Sequence, residues 1–170
     1  FSCLRRIWEK SFLPNQPSIP VTIRPMGEKD LEQVAAVEKD AFPDLFPSTA
    51  FAKELKHGSS VFLVAELDES KREASRFLPN RWAPYKTKDC GNPNNNVYRN
   101  RYTGWVSGQR FIIGILGLWN MANEGHIVTL AVRRYYRRLG VGETILYHCL
   151  KVCLEKSLLN VTLEVRSSNK

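Results

Sequence analysis

No apolar run in the chain approaches the roughly 20 residues that cross a membrane as a helix, and the first ten residues lack the apolar stretch of a secretory signal. The expected location is the cytoplasm. Cysteine is scarce: Cys3, Cys90, Cys149 and Cys153 form no Cys-x-x-Cys pair and no spaced pair of histidines accompanies them, so neither a disulfide scaffold nor a metal centre is expected. Cys149 and Cys153, one helical turn apart in an apolar stretch, read as reduced core thiols. Two nucleotide loops are missing as well. No glycine precedes Lys-Ser/Thr, as a Walker loop requires, and Ile145 stands where a dinucleotide fingerprint needs its third glycine. Acidic residues are in deficit, with 17 Asp and Glu against 25 Lys and Arg, a net charge of +8 that suits a polyanionic ligand.

What is present is concentrated between Glu124 and Leu150. Ile127 to Val132 is rich in β-branched and aliphatic residues and ends in a polar run, the pattern of a buried strand with a sharp end. From Val141 onward the spacing becomes helical: Val141, Ile145, Cys149 and Val152 recur at three and four residues, with Leu146, Leu150 and Cys153 on the adjoining stripe. Between them lie Arg137, Arg138, Leu139, Gly140, Val141 and Gly142. A helix N-terminus offers free backbone N–H groups and the positive end of the macrodipole, so a glycine-bearing loop that opens a helix is suited to anions. The glycines remove bulk, and Arg137 and Arg138 add charge. The run Arg133 to Arg138, interleaved with Tyr135 and Tyr136, reads as a phosphate pocket or a solvated face; no nucleic-acid module accompanies it.

Arg137-x-x-Gly140-x-Gly142 between strand and helix resembles the Arg/Gln-x-x-Gly-x-Gly/Ala loop of the GNAT acetyltransferases. Thr129-Leu130-Ala131-Val132 before the loop, and Leu163-Glu164-Val165-Arg166-Ser167-Ser168-Asn169 after the helix, resemble one subgroup, the bacterial RimI-type ribosomal-protein-alanine N-acetyltransferases. The similarity covers residues 21–68 and 111–170. It implies an α/β (α+β) GNAT acyl-CoA N-acyltransferase fold, a mixed central sheet flanked by helices.

The remainder of the chain is read in that frame. Residues 1–20, with Pro14, Pro17 and Pro20 and no period, read as a leader or cut end; residues 21–170 read as the GNAT domain, with an insertion at 69–110. Val21 to Met26 alternates as a first strand. Glu28 to Phe42 places Leu31, Val34, Ala35, Glu38 and Phe42 on one helical stripe, stopped by Pro43. Ser48 is a candidate cap for a second, short helix that pairs Phe51 with Leu55 and ends at Gly58, and the turn carrying Leu45 and Phe46 reads as packing. Ser60 to Leu67 is a strand. The insertion shows no apolar period, contains Gly91-Asn92-Pro93-Asn94-Asn95-Asn96 and scatters Phe77, Trp82, Tyr85, Tyr98, Tyr102 and Trp105, so it reads as a mobile segment or a lid. Phe111 to Trp119 is apolar enough to be a strand buried on both faces. Val161 to Arg166 is the last strand, with Val161, Leu163 and Val165 inward and Thr162, Glu164 and Arg166 outward. His126 reads as a structural residue at a strand entry.

The resemblance also implies the chemistry. Acetyl-CoA would be held by Leu130, Ala131, Val132, Arg137, Arg138, Leu139, Gly140, Val141, Gly142, Glu143, Thr144 and Asn169, with no metal. Glu143 would contribute its backbone N–H rather than its carboxylate. The pantetheine arm would enter a splay between Thr129–Val132 and Val161–Val165, and a backbone N–H near Ala131 and Val132 would meet the oxyanion. Glu164 would be the base that deprotonates a protein N-terminal α-amine, helped if poor contact with water raises its pKa. The family's remaining helix and strands, with a tyrosine as proton donor, would lie beyond Lys170, so the chain reads as an incomplete domain. The acceptor expected is the N-terminal alanine of a ribosomal protein. A small-molecule amine, or a basic nucleic-acid or ribosome-binding module without chemistry, remains the alternative.

Overall fold

The computed structural model describes residues 19–44, 48–56, 58–67 and 110–165, together with the backbone of 85–89 and 92–99. A five-stranded sheet is built from β1 (Val21–Pro25), β2 (Ser60–Leu67), β5 (Ile112–Met121), β6 (Glu124–Val132) and β7 (Asn160–Leu163), in the order β1-β2-β5-β6-β7. All neighbours are antiparallel except β6 and β7, which run parallel. Parallel strands need a crossover. It is supplied by α3 (Val141–Glu155), while α1 (Leu31–Ala41) and the single turn α2 (Phe51–Glu54) lie on the opposite face. Two further strands, β3 (Tyr85–Asp89) and β4 (Asn92–Arg99), form a separate antiparallel hairpin.

The two faces hold distinct cores. On the α3 side, Leu63, Ile113, Leu116, Leu118 and Ile127 pack with Val141, Ile145, Cys149 and Cys153. On the other side, Phe62, Val64, Ile112, Ile115 and Ala131 pack with Val34, Val37 and Phe51. Strand β5 supplies both cores, which explains its continuous apolar run: residues 111–118 are all buried. Its glycines are set by close approach. A Cβ on Gly114 would meet Ile145 Cδ1 at 2.7 Å, and one on Gly117 would meet Phe62 Cε1 at 2.6 Å.

Several expectations are corrected. The buried stripe of α1 carries Val37 rather than Ala35, which is exposed, and Glu38 is fully inside, accepting hydrogen bonds from the backbone N–H and hydroxyl of Thr49. Ser48 does not cap α2; the N-cap is Ala50 and makes no side-chain cap. Ile19, read as leader, is buried against the α3-side core. The Asn-rich run 92–96 belongs to β4, because strand pairing with β3 satisfies its backbone without an apolar period. Leu163 and Val165 are exposed rather than inward, since β7 is an edge paired only with β6 among the described residues. The leader residues 1–18, Leu45, Phe46 and the aromatic side chains of the insertion lie outside the described residues. No helix among the described residues is long and apolar enough to cross a membrane.

Candidate active site

The site forms where β6 and β7 part. Their ladder runs from Glu124↔Asn160 to Ile127↔Leu163 and continues no further among the described residues. At that point β6 is bulged: Gly117 opposes Thr129 and Leu118 opposes Ile127, so Val128 is the extra residue. A bulge bends its strand and shifts the phase of the side chains. Ile127 accordingly belongs to the α3-side core, whereas Thr129 reaches toward Gly117 and Phe62 on the other face.

Beyond the bulge, β6 has only β5 as a neighbour among the described residues and presents a free edge there. Arg133 N–H donates to Ile113 O at 2.8 Å. Counting back along an antiparallel ladder, Ala131 exchanges its bonds with Ile115, and Leu130 and Val132 turn theirs to the open side. The register pairs Ala131 with Ile115, which turns its N–H toward β5. The side chains of Leu130, Val132, Leu139 and Val141 pack on the α3-side core, so these residues offer backbone only.

At the end of this free edge stands the N-terminus of α3. Gly140, its N-cap, has φ 81°, a left-handed conformation that costs a residue with a Cβ about 1–2 kcal/mol. Arg138 adopts φ 62° despite its side chain. Thr144 is buried and spends its hydroxyl on Gly140 O at 2.9 Å. The N–H groups of Val141, Gly142 and Glu143 make no hydrogen bond among the described residues, the usual state of a first helical turn. Gly142 is different from Gly140: a Cβ there would meet only Val132 Cγ2, at an ordinary 3.7 Å. The fold does not require that glycine, whereas a bulky ligand against the helix end would.

The arginines divide their labour in a way the sequence did not suggest. Arg137 donates from Nε to Val132 O at 3.0 Å and from Nη2 to Ala41 O at 3.3 Å, tying the loop to the ends of β6 and α1. Arg133 lies over the Phe111 ring at 4.7 Å and donates to Ile112 O; burial pulls its pKa below the ordinary arginine value. Arg138 is exposed and makes no such bond among the described residues, leaving it as an unengaged positive charge there beside the helix end.

Glu164 lies one residue past β7 and is exposed. Two residues earlier, Thr162 Oγ1 is 2.9 Å from His126 Nδ1. His126 therefore joins the β7 side of the site through a cross-strand bond that its position in the sequence gave no sign of. Asn169 lies outside the described residues. No group of three or more metal-ligating side chains occurs among the described residues.

A sequence profile described as "Acetyltransferase (GNAT) family" matches residues 67–170. An N-alpha-acetyltransferase of Sulfurisphaera tokodaii is 27% identical over 143 residues, which cover 82% of this chain and 67% of that protein. A putative ribosomal protein bS18-alanine N-acetyltransferase of Bacillus subtilis is 33% identical over 58 residues, 34% of this chain and 38% of that protein. Among solved structures, the ribosomal-protein-S18-alanine N-acetyltransferase of Escherichia coli superposes with a TM-score of 0.56 at 18% identity, covering 88% of this chain and 70% of that one. The PaiA N-acetyltransferase of Thermoplasma acidophilum, in complex with coenzyme A, gives 0.56 at 16% identity, covering 89% and 83%. These superpositions establish a shared fold.

Proposed function

The chain belongs to the GNAT family of acetyltransferases, an acetyl-CoA-dependent N-acetyltransferase family, and on that premise we propose that it acetylates the α-amine at a protein N-terminus, with the N-terminal alanine of a ribosomal protein as acceptor. The observation that carries the reading is the free edge of β6 at Leu130 and Val132, leading directly to the unbonded N–H groups at the start of α3. The N-terminal acceptor is supported by the relatives from Sulfurisphaera and Bacillus, both named for acetylation of an α-amine. We place the cytoplasm in the same proposal.

Bound acetyl-CoA would supply an activated acetyl thioester. The chain's residues fit such a molecule: a helix end able to receive a pyrophosphate, Arg138 beside it, and Gly142, where a Cβ would meet only Val132 Cγ2 among the described residues. Leu139, Gly140, Val141, Glu143 and Thr144 shape this end, the first four through backbone groups. In the proposed mechanism Leu130 and Val132 offer N–H groups to the pantetheine arm and to the negative charge that develops on the carbonyl oxygen during acyl transfer. Arg137 holds the strand end in place. Glu164 takes a proton from the acceptor's α-ammonium, directly or through water, so that the amine can attack. Asn169 stays in the proposal as a cofactor contact.

The test is acetyl transfer to an alanine-initiated peptide, followed by peptide mass and by release of free coenzyme A thiol. Acetylation at the α-amine supports the reading. Transfer only to lysine side chains or to small amines overturns the acceptor assignment.

A further inference from the structure

Four residues stand in one register row across the sheet: Ser60 opposes Trp119, Trp119 opposes His126, and His126 opposes Thr162. The row lies on the α1/α2 side, because Gly117, two residues before Trp119, faces Phe62 and Thr129 there. The apolar cover on that side includes Phe51 against Phe62, and the row lies beyond it. Trp119 is consequently 39% exposed, a large aromatic left half open on a sheet face.

Its ring is not loose. Glu54, the last residue of α2, accepts the Trp119 Nε1–H at 3.0 Å and the Ser60 hydroxyl at 2.8 Å, both on Oε2. Oε1 takes no hydrogen bond, and no cation pairs with Glu54, among the described residues. The strand positions around the row are Glu124, His126, Asn160 and Thr162, none of them Lys or Arg, in a chain whose net charge is +8. A fixed indole beside a carboxylate with a free oxygen, on a face whose strands carry no fixed cation, suits a cationic side chain through cation–π contact and ion pairing.

We propose that Trp119, oriented by Glu54, is a specificity-determining residue that binds a Lys or Arg side chain near the N-terminus of the acceptor. The inference rests on the proposed function, which gives the C-terminal half of β6 to the cofactor and leaves the N-terminal half of this face to the acceptor. His126 and Leu130 are separated by a few residues of strand, roughly 10–14 Å at ~3.4 Å per residue. An extended acceptor advances about 3.3–3.6 Å per residue, so the row meets its third to fifth residues. The indole and the carboxylate recognise charge without touching the reacting amine.

The experiment compares alanine-initiated peptides that carry Lys, Gln or Glu at positions three to five, with the intact protein and with Trp119→Ala, Trp119→Phe and Glu54→Gln. Each contact is exposed and modest, so the parent should favour Lys over Gln by about fivefold in kcat/KM. Trp119→Ala and Glu54→Gln should erase most of that preference, Trp119→Phe should keep part of it, and acetyl-CoA affinity by titration calorimetry should stay unchanged in all three. Glu54→Gln retains an oxygen for Trp119 and Ser60, so it tests charge apart from folding. Equal rates on all peptides, or a preference that survives both variants, overturns the inference while leaving α-amine acetylation intact. If no α-amine peptide is acetylated, the proposed function fails and this inference with it.

Discussion

A Cβ placed on Gly142 would sit 3.7 Å from Val132 Cγ2, so the last residue of β6 and the second residue of α3 leave each other room for a small side chain. The space that remains is outward, over the unbonded N–H groups of the first turn. Gly142→Ala should therefore fold with equal or greater stability, by up to about 1 kcal/mol of helix propensity, and keep its acetyl-CoA affinity. Gly142→Trp should fold and lose acetyl-CoA binding. Thermal unfolding and calorimetric titration separate the two effects, and a folded Trp variant with parental affinity would show that the cofactor does not lie there.

Arg137 and Arg138 should part company on substitution. Arg137 bonds Val132 O and Ala41 O, so Arg137→Ala should destabilise the fold by about 1–2 kcal/mol. Arg138 holds a left-handed conformation without a partner among the described residues. Arg138→Gly relieves that strain, so its melting temperature should be unchanged or higher, while affinity for acetyl-CoA falls severalfold through the lost charge. Reversed behaviour of the two variants would mean that Arg137 is the phosphate ligand.

The insertion expected at 69–110 ends before Arg110, which is already tied to the domain beside Leu67. Leu67 N–H donates to Phe111 O at 2.9 Å, Arg110 bridges to Glu66 at 2.7 Å, and Gln33 bonds both Arg110 O and Ile112 N–H. Replacing 69–109 by a short Gly/Ser bridge should then leave acetyl-CoA affinity within about tenfold, since loop closure depends only slowly on length. Loss of solubility together with binding would place the insertion's aromatics in the core.

The same corner sets an acid limit. Arg24 bonds Asp30 at 2.7 Å and Glu66 at 2.6 Å. The Arg24 hydrogen bond holds the Asp30 carboxyl below its usual range, against the pull of burial. Burial pushes Glu66 up but is outweighed by hydrogen bonds from Arg110 and Arg24, so it too is lowered. A carboxylate whose folded pKa is depressed adds stability above its unfolded value and loses it as pH falls through the folded one. Stability should fall below pH ~4, near the ordinary carboxylate values. Arg24→Met should cost roughly 2–4 kcal/mol at neutral pH, between an exposed pair and a broken buried one, and much less at pH 3. Denaturant titrations at both pH values check this; a cost independent of pH would mean that the pairs do not matter.

Periodicity revealed what the two cores demand. Strand β2 occupies Ser60–Leu67 as its apolar run predicts, and α3 buries Val141, Ile145 and Cys149 of the expected stripe with Cys153 of the adjoining one, Val152 being half-buried. It failed where partners outside the local window decide. Glu38 falls on the expected stripe, but its partner, Thr49, belongs to the following segment and has no local sign. Strand β4 is polar because its pairing needs backbone alone. At the site, the glycine loop was legible from residue type and spacing. The bulge at Val128, the commitment of Ala131 to β5 and the tethering of Arg137 were not, because each depends on which strand lies alongside.

Glu164 stands one residue past the end of β7 and is exposed to water. A carboxylate in that place acts as a base by being held within hydrogen-bond reach of the acceptor's ammonium, which it also attracts. Thr162, bonded to His126, anchors the strand that ends immediately before it, so the carboxylate starts from a fixed point on the rim of the splay. Glu164→Gln preserves size and removes the proton acceptor. It should lower kcat toward an alanine-initiated peptide by about 10²–10⁴ and leave acetyl-CoA affinity unchanged. The defect should shrink as pH rises and more of the acceptor arrives as free amine, because an already neutral amine needs no base. A parallel loss at every pH would instead indicate that Glu164 positions the acceptor, and full activity across the range would remove it from the mechanism.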